Sequence, residues 1–124
     1  MDKIGLFSKE LSNLYAIAKQ VNHYFNGSDI SFLSDKDQAI LVDYVKFSCA
    51  NEEQVSRSLR NLEINPGNTT DSIVQEMTEN LQEISNQSGL NEEIKAMGYM
   101  MSLNRLISYH AANIHILDYY SHEL

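Results

Sequence analysis

Four histidines, one cysteine and 17 acidic residues are the side chains of this 124-residue chain that could carry chemistry. Helical bundles hold metals when carboxylates and histidines project inward from facing helices, typically with a Glu-x-x-His pair on two of them. None of His23, His110, His115 and His122 has a glutamate three residues before it. The HExxH, CxxC, phosphate-loop and GxGxxG patterns are absent as well, and no serine stands in a strand–turn–helix context. No catalytic residue and no cofactor is therefore expected.

Two polar residues interrupt otherwise apolar stripes. Glu52 lies between Ser48 and Val55. As a buried group it would be a ligand or an acid/base, but an unpaired buried carboxylate is costly, so the preferred reading turns it to solvent. His110 sits among Leu103, Ile107 and Ile114. It reads first as a core histidine hydrogen-bonded to a neighbour and second as a ligand. A metal reading would have to draw on a shifted set, Glu52, Glu76, Glu79 and His110. Cys49 has only Lys46 beside it at helical spacing and reads as a structural cysteine rather than a reactive thiol. Met97, Met100 and Met101, with Met77 opposite, read as adaptable core filler. Seven tyrosines outnumber four phenylalanines, which points to hydroxyls at a rim and to a homodimer interface.

The elements that must position these residues are helices. Ile4, Phe7, Leu11, Leu14, Ala18, Val21 and Phe25 alternate spacings of three and four, so they form one helical stripe about 36 Å long. Asp2 caps its start and Asn26-Gly27 stops it. Ser34 with Asp37 resembles a capping box ahead of a second stripe, Leu41, Val45, Ser48, Glu52, Val55, Leu59 and Leu62. Glu53 and Arg57 suit an i,i+4 pair on another face. Asn65-Pro66-Gly67-Asn68 breaks the chain. Thr69 or Thr70 caps a shorter helix with Ile73, Met77, Leu81 and Ile84 inward, and Ser88-Gly89 ends it. Asn91 caps the last helix, where Glu92 and Glu93 suit the positive end. Its stripe is Ala96, Met100, Leu103, Ile107, His110, Ile114 and Leu117, widened by Met97, Met101, Leu106 and Tyr109, which marks it as the most buried helix. No alternating pattern competes as a strand. The expectation is an all-α fold, a single domain over residues 1–124, arranged as an antiparallel up-down-up-down four-helix bundle. Gly98 inside the last helix predicts close approach of a neighbouring helix, because a mid-helix glycine costs roughly 1 kcal/mol.

Composition removes several functions. The formal charge is −8 and the nine basic residues are scattered. Nucleic acid and anionic membranes draw affinity from clustered cations, so neither is an expected partner, whereas a basic protein is. No apolar run nears the roughly 20 residues that cross a bilayer. The charged N-terminus lacks a signal-peptide core, and the lone cysteine suits a reducing compartment, so the expected location is cytoplasmic.

Three stretches carry a family resemblance. Leu11-Ser-Asn-Leu-Tyr-Ala-Ile-Ala-Lys-Gln20 is similar to the L-x-D-L-Y-x-A-E-K-Q opening helix of the YciF-like proteins of the ferritin-like superfamily. Gln54-Val55-x-Arg57-x-Leu59 resembles their Q-V-x-R-L stretch, and Tyr109 falls on the tyrosine that follows their E-H-Y-E segment. The resemblance implies a ferritin-like bundle with a dinuclear metal site and a link to stress responses. Position by position the ligands are missing. The helix-one glutamate corresponds to Ala18, the helix-two glutamate falls near Ala50 or Asn51, and the E-H-Y-E glutamates correspond to Ser102 and Arg105. Only Glu76, Glu79 and Glu83 keep carboxylates in the right region, where Arg105 would pair with one of them across the bundle. The expected function is a metal-free, non-catalytic ferritin-like bundle acting by association with itself or another protein. Two alternatives stand beside it: a metal-binding oxidoreductase or iron-binding protein (di-iron or manganese) built on the shifted set, and a small acidic inhibitor or immunity-type protein for a basic partner.

Overall fold

Each helix starts where a short polar side chain can accept from an otherwise unpaired backbone N–H. In a computed structural model describing residues 1–124, Asp2 accepts from Gly5 N at 2.7 Å and opens α1, Lys3–Phe25. Ser34 accepts from Asp37 N and opens α2, Asp35–Asn61. Asp71, rather than Thr69 or Thr70, accepts from Val74 N at 2.8 Å and opens α3, Ser72–Ser85. Asn91 accepts from Glu93 N at 2.7 Å and opens α4, Glu92–Ser121. Such caps are each worth about 1 kcal/mol. There are no strands, and no helix is long and apolar enough to cross a membrane.

The helix ends are as specific as the starts. Beyond α2, Ile64 N donates to Leu59 O and Glu63 N to Arg60 O, a Schellman closure in which Glu63 takes the left-handed conformation at φ 55°. Gly67, at φ 62°, then turns the chain while its N–H donates to Asn65 Oδ1. α3 stops at Ser85, three residues before the expected Ser88-Gly89.

The four helices pack around one apolar cluster in which Ile17, Val21, Val74, Leu81, Leu103 and Leu106 lose all contact with solvent. α1 touches each of the other three helices, α4 also touches α3 and, more sparsely, α2, and α2 and α3 do not meet. The loop between α1 and α2 closes one end. Leu33 is buried there, and Phe32 sets its ring edge-on to buried Tyr99 at 5.2 Å, with Lys95 Nζ 4.5 Å from the Phe32 centroid.

Several expected faces are rotated. In α3 the buried line is Val74, Thr78 and Leu81, while Ile73 is 47% exposed. α1, not α4, is the most buried helix, with eight buried residues against five in the longer α4. Met97 and Met101 are 54% and 57% exposed rather than core filler, and Cys49 is exposed rather than structural. A Cβ placed on Gly98 would meet nothing within 4 Å, so no helix of this chain approaches it closely. Exposed Ile94, Met97, Met101 and Ile116 put apolar surface on the solvent side of α4 as well.

Candidate functional site

The sparse contact between α2 and α4 is built from polar side chains. Tyr44, Ser48 and Asn51 fall at i, i+4 and i+7 on α2 and all are buried. Facing them from α4 is His110, fully removed from solvent. Asn51 Oδ1 lies 3.0 Å from His110 Nε2 and can only accept, so Nε2 carries the proton. His110 Nδ1 is then the acceptor for the Tyr44 hydroxyl at 2.8 Å. The Tyr44 ring stands edge-on to the imidazole at 5.8 Å, and Phe47 covers it at 5.9 Å. Burial pushes the His110 pKa down to about 4 and raises that of Tyr44, so both groups are neutral near pH 7. Ser48 Oγ is buried on the same stripe and makes no hydrogen bond. The imidazole thus has both nitrogens engaged within the chain, an arrangement that holds two helices in register.

A second polar cluster ties α1, α3 and α4. Asp71, 5% exposed, caps α3 with one carboxylate oxygen. Its Oδ2 accepts from Asn13 Nδ2 of α1 at 2.9 Å and from the Tyr109 hydroxyl of α4 at 2.8 Å. Gln20 of α1 closes the junction in both directions, accepting from Asp71 N at 2.7 Å and donating to Asp71 O at 3.0 Å. Burial, followed by the accepting Asp71 carboxylate, pushes the Tyr109 pKa up to about 12. Three charge-assisted donors on one carboxylate offset the cost of burying it.

The residues considered for a metal do not converge. Glu52 is partly buried and accepts from Asn22 Nδ2 at 3.1 Å. His110 is engaged as above, and Glu76 and Glu79 are exposed on the outer side of α3. No three His, Cys, Asp or Glu side chains group as a metal site. The family's dinuclear centre also finds no donors. Ala18 is buried without a ligand atom, and Ser102 Oγ accepts from Asn80 Nδ2 at 3.0 Å. Arg105 is exposed and reaches Ser102 Oγ at 3.4 Å rather than Glu76, Glu79 or Glu83. These residues do not fit the group.

What remains unpartnered is apolar surface. A groove of about 490 Å³ opens between the first turns of α1 and the last turns of α4, floored by Leu6, Phe7, Ile116, Leu117, Tyr120 and Leu124 and edged by Lys3 and Glu10 on α1 and by Asn113 and Glu123 on the α4 side. Met97, Met100 and Met101 line a second depression with Asp37, Asn104 and Arg105.

Sequence reasoning found His110 and missed its partners, because Tyr44 and Asn51 are 66 and 59 residues away in the chain. It also missed Asp71, although an aspartate three residues before Val74 is a stronger capping signal than a threonine. Comparison of the chain with protein-family models, curated proteins and solved structures finds no match in any of the three.

Proposed function

We propose that this protein is a non-catalytic helical bundle that works by associating with protein, itself included. The observation that carries the reading is apolar surface gathered on α4 and α1. Leu6, Met97, Met101, Ile116 and Tyr120 are each about half exposed, and they line grooves rather than lie scattered. Grouped apolar surface of this kind marks interfaces, whereas isolated exposed side chains are ordinary. Both buried polar clusters are consumed in joining helices, which fits a scaffold better than a reaction centre.

The reading includes an antiparallel up-down-up-down course. Its support is the pairing of Asp71 with Tyr109 and of Asn80 with Ser102, in which α3 advances while α4 recedes. It also includes a ferritin-like ancestry of the YciF kind, in which Ala18, Ser102 and Arg105 replace ligands and the polar clusters replace the metal. A reducing, cytoplasmic setting suits exposed Cys49.

The test is a photoreactive amino acid placed in living cells at Met101 or Tyr120, with exposed Glu63 as the control position. A cross-linked protein product at either of the first two and none at Glu63 is the expected result. Products at no position, or equally at all three, contradict association through these faces.

A further inference from the structure

α3 is about half as long as its neighbours, and the groove lies beyond its N-terminal end. Asp71, its cap, rests on Asn13 of α1 and Tyr109 of α4. The groove residues lie beyond that junction, toward the start of α1 and the end of α4. A helix laid there would continue the line of α3 and complete the packing around Leu6 and Tyr120, each about half exposed.

The edge of the groove says which helix fits. Lys3, Leu6 and Glu10 stand at i, i+3 and i+7, so they share one face of α1 with a cation and an anion seven residues, about 10 Å, apart. Two such faces set antiparallel about Leu6 and Phe7 bring Lys3 of each copy opposite Glu10 of the other. In-register parallel docking would instead oppose Lys3 to Lys3 and Glu10 to Glu10, which costs energy. The face is complementary in charge to itself turned end for end, and a two-fold axis uses it twice.

We infer that the α1–α4 groove is the interface of a two-fold dimer of this chain, with the two α1 helices antiparallel and Lys3 paired to Glu10 across the axis. This rests on the association reading above and names its partner as a second copy. Leu6 and Tyr120 supply the dry centre, and the reciprocal ion pairs at the rim set register and orientation.

Sedimentation of wild type and variants over a range of concentrations tests it, with circular dichroism confirming equal helicity. Leu6→Asp places a charge in the centre and is expected to weaken the dimer about 100-fold or more. K3E and E10K singly each oppose like charges and are expected to weaken it about tenfold. The K3E/E10K double variant restores opposite charges and is expected to return to within about threefold of wild type. A wild-type monomer at about millimolar concentration, a dimer indifferent to Leu6→Asp, or a double variant as weak as the singles would each overturn the proposal. If the chain is monomeric yet cross-links to a different protein in cells, the dimer fails while association stands.

Discussion

The two buried polar clusters solve the same problem with different chemistry. Around Asp71 a carboxylate collects donors from two other helices and from its own helix start, and every buried polar atom there has a partner. Around His110 a neutral imidazole joins two helices through one donor and one acceptor, and Ser48 Oγ beside it is left without a partner. The first junction locks α1, α3 and α4 together; the second is the main tie between α2 and α4. The charged cluster should therefore carry more stability, and the neutral one more sensitivity to acid.

Removing the carboxylate should have the largest effect. Asp71→Ala deletes the α3 cap, about 1 kcal/mol, and strands the Asn13 amide and the Tyr109 hydroxyl. The expected loss in urea unfolding is about 3–4 kcal/mol, with Asp71→Asn milder because it keeps the cap. A loss under about 1 kcal/mol would make the two clusters equivalent.

Acid should act on the other cluster. The folded His110 pKa, about 4, lies below its ordinary value of 6.5, so the unfolded chain binds a proton that the native protein refuses. Stability is complete above that ordinary value and is lost as the pH falls toward the folded one, by up to about 3 kcal/mol. His110→Gln cannot titrate, and the difference between it and wild type should shrink over the same interval. A difference independent of pH would mean that His110 is not held neutral by burial.

Gly98 belongs to neither cluster and calibrates both. It lies within α4, and an added Cβ meets open space, so Gly98→Ala should stabilise by about 1 kcal/mol in thermal or urea unfolding. Destabilisation would show a contact at that position. The smallest effect is expected at Ser48, whose hydroxyl is already unpartnered. Ser48→Ala should lie within about 0.5 kcal/mol of wild type, and a clear loss would show that the hydroxyl is hydrogen-bonded after all.

The legible part of the fold was local. Asp2, Ser34 and Asn91 announce helix starts through short-range hydrogen bonds, and Asn65-Pro66-Gly67 announces a turn through backbone preference, so each is readable within four residues. In α3, Ile73 and Val74 are adjacent apolar residues about 100° apart on the helix, and packing against α1 and α4 rather than any local pattern decides that Val74 is the buried one. α4 misled for another reason. Ile94, Met97 and Met101 are apolar on the side away from the core, so periodicity alone could not say which face the chain itself covers. His110 was readable as a core histidine because it replaces an apolar residue in a stripe. Its partners and the whole Asp71 junction depend on how helices distant in sequence are placed together, which no local pattern encodes.

Those uncovered faces are what the proposed association rests on, and the protein's size in solution is the direct check. Sedimentation equilibrium on the wild-type protein should give a species of twice the 14.1 kDa chain mass that dissociates on dilution. A single 14.1 kDa species at every concentration, together with no cross-linked product in cells, would contradict the account.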